Sequence, residues 1–188
     1  MNTTQTRSPQ PVEICAWSPE WPSQFAVKAK RIRSVLGERA IRIDHVGSTA
    51  IQGLAAKPII DIQISVADLH SIEVLKEEMS VIGYMWRPLN GDLTKRYFRE
   101  APGNERTHIH VRALGSWSEQ WSLLFRDYMR GHGEEHAPYA ELKRALASRY
   151  QDDRVAYTEA KSEHLWGIVR RADSWAARTG WQPGPSDA

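Results

Sequence analysis

The chain has 188 residues, 41% of them hydrophobic and 26% charged, and its 25 basic and 23 acidic side chains leave a formal net charge of +2. That length suits one domain of ordinary size, and the apolar fraction is enough to build a core. The charge is too mild to argue for nucleic-acid binding, the single cysteine, Cys15, excludes an intrachain disulfide, and no run approaches the roughly 20 apolar residues of a membrane span.

Residues 1–11 are polar, lack the apolar core of a signal peptide and read as a flexible leader, and residues 179–188 read as a flexible tail. Between them, 12–178 is expected to form a single domain with a helical part over 117–178, in the cytoplasm. Ser23 is placed to cap a helix running to about Leu36, where Gly37 stops it. Two short runs rich in branched residues follow, Ile41–Val46 and Ile59–Val66, and read as strands. Asp68 can cap a helix from about Leu69 to Ile82, ended by Gly83. Tyr84–Pro88 and Lys95–Ala101 read as strands joined through the turn Asn90-Gly91-Asp92, and Arg106–Leu114 as another strand. The remainder is helical, over Trp117–Arg130, about Pro138–Tyr150, and Asp153–Arg178. The expected fold class is α/β (α+β): a mixed sheet flanked by helices, with a C-terminal helical cap. Trp117 and Trp121, one helical turn apart, read as core.

The chemistry gathers around 41–66. Gly47-Ser48-Thr49 after the first strand can turn sharply and let an anion approach backbone N–H groups and hydroxyls. In the second strand, Asp61, Gln63 and Ser65 share one face by alternation while Ile60, Ile62, Ile64 and Val66 share the other. A Gly-Ser turn followed by Asp61, thirteen residues after Ser48, resembles the nucleotidyltransferase superfamily pattern. In that superfamily two alternate carboxylates hold Mg²⁺ against a nucleoside triphosphate. Here the second acidic position is Gln63, whose amide brings no charge. His108 and His110 stand on one face of their strand, so with Asp61 beside them they would make a three-ligand site for a divalent metal. The competing reading is a pair of solvated or core histidines. Lys57, Arg99, Arg126, Arg130 and Lys161 would suit a phosphorylated ligand if they converge on the turn.

The stretch from Asp44 to Ala50, then Gly53-Leu54, Ala56-Lys57-Pro58-Ile59-Ile60-Asp61-Ile62, Thr107–Val111, Leu123–Tyr128, Tyr139, Lys143, Tyr157 and Lys161 together resemble the GrpB family, over about Trp21 to Trp166. The resemblance implies a nucleotidyltransferase-like fold and occasional fusion to a dephospho-coenzyme A kinase. It also implies that Gly47, Ser48, Lys57, Asp61, His108, His110, Arg126 and Lys161 line one cleft. It names no substrate. The combined expectation is a nucleotidyltransferase-like enzyme that binds a phosphate-bearing small molecule, with a nucleoside triphosphate as candidate substrate. Mg, Mn or Zn would be the divalent metal. Asp61, His108 and His110 are the candidate catalytic and metal residues. Gly47, Ser48, Thr49, Lys57, Gln63, Arg99, Arg126, Arg130 and Lys161 are the candidate phosphate and substrate residues. The alternatives are a non-catalytic nucleotide- or coenzyme-binding module, and a metal-dependent biosynthetic enzyme using the Asp/His/His set without a nucleotide. Neither a membrane nor a nucleic acid is an expected partner, and the sequence leaves the oligomeric state open.

Overall fold

A computed structural model describes residues 12–188 apart from Ser71, so the expected leader lies outside the described residues. Five strands form one sheet: β1 (Arg42–Val46), β2 (Ile60–Val66), β3 (Tyr84–Trp86), β4 (Arg96–Glu100) and β5 (Thr107–Ala113), in the spatial order β1-β2-β5-β4-β3. The β2–β5 pair is parallel and the other pairs are antiparallel. A parallel pair cannot be closed by a tight turn, so the chain between β2 and β5 makes a crossover through α2 (Ile72–Val81), β3 and β4.

The alternation in the strands gives the sheet two unlike faces. Ile60, Ile62, Ile64 and Val66 of β2, with Phe98, Ile109 and Val111, pack into one apolar core with Trp21, Phe25, Ile32 and Leu36 of α1 (Glu20–Leu36) and Leu75 and Met79 of α2. The opposite face carries Asp44, Asp61, Gln63, Ser65, His108, His110 and Arg112. It is covered by the C-terminal helices α3 (Trp117–Gly131), α4 (His136–Arg149), α5 (Arg154–Ala160) and α6 (Ser162–Thr179). Of these, α3, α4 and α6 hold together through a second apolar cluster containing Ile51, Leu54, Phe125, Met129, Tyr139 and Ile168, and Tyr157 of α5 packs in a third with Leu146 and Ala147. Buried polar groups on a sheet face cost free energy unless each is paired, which makes this face the place to look for a site.

The structure departs from the sequence expectations at several element ends. Helix α1 begins at Glu20, so Ser23 is inside it and its hydroxyl donates to the Glu20 carbonyl at 2.8 Å. Ser18 Oγ instead accepts from the Glu20 amide, and Pro22 sits in the first turn, where a missing N–H is tolerated. Asp68 closes a local turn by accepting from the His70 amide at 2.8 Å, and the described part of α2 starts at Ile72. The Asn90–Asp92 turn forms, but inside a connection over 87–95 rather than a tight hairpin. The long last helix is broken at Lys161 into α5 and α6. Trp117 is 66% exposed, so it is not a core residue; its ring stacks outside Trp121 at 6.4 Å. Within the expected tail, residues 186–188 run back along β1. Ser186 Oγ accepts from the Ile43 amide at 2.8 Å, Asp187 Oδ2 from the His45 amide at 2.9 Å, and the Ala188 amide donates to the Ile43 carbonyl at 3.1 Å. Among the described residues, no helix is long and apolar enough to cross a membrane.

Candidate functional site

The polar face of the sheet is organised by its register. Val46 lies opposite Asp61 across the antiparallel β1–β2 pair, and the parallel β2–β5 pair sets Asp61 beside His108 and Gln63 beside His110. Directly after Val46 the chain must pass the Asp61 carboxylate at close range. Gly47 makes this possible: its φ is +69°, and an added Cβ would lie 2.6 Å from Asp61 Oδ2. A single 3-10 turn over Ser48–Ala50 follows.

Asp61 is half-buried. Its Oδ1 is 3.0 Å from His108 Nδ1 and 3.6 Å from His110 Nε2, and one ligand atom from each of the three residues lies within 4.8 Å of the others. Burial pushes the Asp61 carboxyl up, but hydrogen bonds from both imidazoles and their charge together outweigh it and hold the group well below the usual carboxylate range. Burial lowers His110, against the pull of Asp61. His108 Nε2 and His110 Nδ1 are buried and have no hydrogen-bond partner among the described residues.

These contacts fit a single divalent ion. Two ligand atoms each about 2.0–2.1 Å from one ion, at roughly tetrahedral to right angles, are separated by about 3.0–3.5 Å. Two imidazole nitrogens and one carboxylate oxygen suit Zn²⁺, Mn²⁺ or Fe²⁺ better than Mg²⁺, which prefers an all-oxygen shell. A two-Mg²⁺ arrangement does not fit. Gln63 is fully buried and its Nε2 donates to the Glu119 carbonyl at 3.2 Å, so the position two residues along the strand from Asp61 brings no second carboxylate.

A cavity of about 270 Å³ opens on this group, lined by Gly47, Ser48, Asp61 and His110 from the sheet side and by Trp121, Tyr139 and Lys161 from the helices. The break between α5 and α6 is what presents Lys161 there. Its ammonium is 4.7 Å from the centroid of the Tyr157 ring, and burial lowers its pKa against the pull of Asp61. Lys57 lies in a neighbouring pocket, its Nζ 3.8 Å from the same ring centroid.

Four of the sequence-nominated residues are bonded to other groups of the protein. Thr49 is buried; its hydroxyl donates to the Ile59 carbonyl at 3.2 Å and meets His45 Nε2 at 3.0 Å. Burial pushes His45 down to about 4, so it is neutral at neutral pH. Arg126 is buried in a network with Asp127 at 2.7 Å, Asp187 at 2.9 Å and Asp44 at 3.3 Å. Arg130 Nε donates to the Ala50 carbonyl at 3.0 Å. Arg99 stands beside His108 in register with its guanidinium paired to Glu100 at 2.9 Å. Arg126 and Arg130 therefore fasten α3 and the tail to β1 and the Ser48–Ala50 turn, and do not face the cavity.

Lys143 belongs to the residues that carry the family resemblance but was not among the candidate site residues. It is buried, donates to Ser48 Oγ at 3.2 Å and to the Ala55 carbonyl, and lies 4.4 Å from the Tyr139 ring centroid. Burial, then the charges of Lys161 and Arg144, push it down to about 7. Its spacing of one helical turn from Tyr139 was the available signal. Glu119 was missed too; fully buried, it accepts from Ser65 Oγ at 2.7 Å and from the Gly115 amide at 3.2 Å, tying α3 to the sheet.

Residues 11–171 match the sequence pattern of the family described as "GrpB protein". The chain belongs to the GrpB family. It is 36% identical over 165 residues to the UPF0157 protein YqkA of Bacillus subtilis, an alignment covering 87% of this chain and 48% of that one. It is 33% identical over 198 residues to a dephospho-CoA kinase of Mycolicibacterium paratuberculosis, covering 92% of this chain and 49% of the kinase. The chain thus spans about half the length of these two relatives. The crystal structure of GrpB from Enterococcus faecalis superposes with a TM-score of 0.79 at 30% identity, over 87% of this chain and 99% of that one. The Cid1 poly(U) polymerase superposes with a TM-score of 0.53 at 12% identity, over 78% of this chain and 49% of the polymerase. At that identity the likeness speaks to architecture, and the GrpB chain has a nucleotidyltransferase-like fold.

Proposed function

We propose that this GrpB protein is a metal-dependent group transferase acting on a phosphate-bearing small molecule or nucleotide. Asp61, His108 and His110 would hold one divalent ion, which when bound supplies Lewis-acid polarisation of a substrate oxygen. The single observation that carries the reading is the approach of these three side chains to one another, with Asp61, His110 and Lys161 lining one cavity. Lys161 and the Ser48 hydroxyl would hold the anionic part of the substrate, and Gly47 keeps the backbone clear of the carboxylate. Lys143 orients Ser48 by donating to its oxygen. Trp121 and Tyr139 wall the cavity and limit water. The dephospho-CoA kinase relative supports a nucleotide or coenzyme context for the domain.

Gln63 favours a second reading, a non-catalytic nucleotide- or coenzyme-binding module, because the charge that nucleotidyl transfer draws from a second carboxylate is missing. Thermal unfolding of the full chain with Zn²⁺, Mn²⁺ or Mg²⁺, each with and without a panel of nucleotides and phosphorylated coenzymes, separates the two. The transferase reading expects Zn²⁺ or Mn²⁺ alone to raise Tm, one phosphorylated compound to raise it further only with metal, and that compound to be consumed on incubation. Consumption that is undiminished in Asp61→Asn would remove Asp61 from the reaction. Tight binding of a compound that is recovered unchanged would favour the module.

A further inference from the structure

Beside the metal residues lies a second pocket, of about 290 Å³, whose walls carry three cations, Lys57, Arg106 and Arg154, and one acidic side chain, Glu13. The strands deliver two of the cations. Lys57 precedes Pro58 at the entry to β2, and Arg106 immediately precedes β5, so the parallel pairing brings them to one end of the sheet. Arg154 is the first residue of α5. All three are half-buried. Among the described residues Lys57 has no ion pair with an acidic side chain; its ammonium rests on the ring of Tyr157, the same ring that Lys161 of the metal cavity contacts. One ring therefore contacts an ammonium from each pocket.

We propose that Lys57, Arg106 and Arg154 form an anion subsite for a phosphoryl group, separate from the metal ligands, with the Tyr157 ring shared between Lys57 of the subsite and Lys161 of the metal cavity. Burial and the charges of Lys161, Arg154 and Arg106 together push Lys57 down to about 8, the behaviour of a cation gathered with like charges. A dianion placed among them would relieve that repulsion. Two forked guanidiniums and a point-charge ammonium suit the several oxygens of a phosphoryl group better than the two of a carboxylate. The subsite deepens the function proposed above by giving the substrate's phosphate, or that of a second substrate, a place of its own. It rests on that reading only for its purpose, because the pocket exists without the metal residues.

The test is a calorimetric titration of the full-length protein with inorganic phosphate at constant ionic strength, in the presence of a chelator, and then with acetate. Saturable phosphate binding is expected, weakened on the order of tenfold in Arg106→Gln and in Arg154→Gln and not weakened in Asp61→Asn. Lys57→Met provides a third variant should either arginine substitution lower Tm, and the same loss is expected there. Absence of phosphate binding, binding undiminished in the folded variants, or acetate bound as tightly as phosphate would each overturn the subsite. Loss of divalent-metal binding with phosphate binding intact would strike only the metal reading, and the reverse would strike only the subsite.

Discussion

Gly47 and Asp61 constrain each other at the level of single atoms. A methyl group at position 47 would sit 2.6 Å from Asp61 Oδ2, and the backbone there has φ +69°. Gly47→Ala is expected to destabilise the fold by about 1–3 kcal/mol and to displace the carboxylate. Urea unfolding should show the first effect, and loss of metal-linked stabilisation the second. Lys143 makes a prediction about pH. Its folded pKa is about 7 against 10.5 for the free side chain, so between those values the unfolded chain holds a proton that the folded chain has released. Stability should therefore rise with pH from about 7 to 9, with Lys57 adding the same sign above its value of about 8. The slope of unfolding free energy against pH should be shallower in Lys143→Met; an unchanged slope would count against a buried, readily deprotonated Lys143. At this scale the sequence announced residue types more reliably than their employment. Thr49 is followed ten residues later by the carbonyl that takes its hydroxyl, a pairing that no local pattern discloses.

Among the elements, α3 shows what an arginine spacing leaves out. Arg126 and Arg130 do share a helix face, but that face meets β1 and the returning tail, where Asp44 and Asp187 wait. Arg126→Met is expected to cost about 3–5 kcal/mol, because it takes a guanidinium away from the fully buried Asp44 carboxylate, which Arg42 also contacts. Affinity for metal and phosphate should be retained in whatever fraction of the variant is folded. Chemical denaturation read alongside metal titration checks both halves, and an intact stability with lost ligand affinity would return Arg126 to the substrate. The strands themselves were legible because period-two alternation survives in β2 and β5. Their pairing was not. Only the parallel register, Asp61 to His108 and Gln63 to His110, turns two alternating patterns into one cluster, and register is a property of the assembled sheet. The break at Lys161 was invisible for a related reason: residues 153–178 are helix-forming throughout, and the interruption serves the packing of α5 and α6.

For the whole molecule, the division of the sheet into an apolar face under α1 and α2 and a polar face under α3 to α6 is the feature from which the rest follows. The first face supplies the core that the composition promised. The second keeps polar groups out of water and turns His108 Nδ1 and His110 Nε2 toward Asp61, with Asp61 and His110 lining a cavity. A carboxylate with two imidazole nitrogens turned toward it is a donor set that suits one divalent ion. The central claim is that one divalent ion binds between Asp61, His108 and His110. X-ray absorption spectroscopy of the protein loaded with one equivalent of Zn²⁺ tests it most directly. The account predicts two imidazole nitrogens and at least one oxygen at about 2.0–2.1 Å, with one imidazole lost in His110→Ala and stoichiometric binding lost in Asp61→Ala. A zinc ion that shows no imidazole scattering, or that binds Asp61→Ala as tightly as the parent protein, would contradict it.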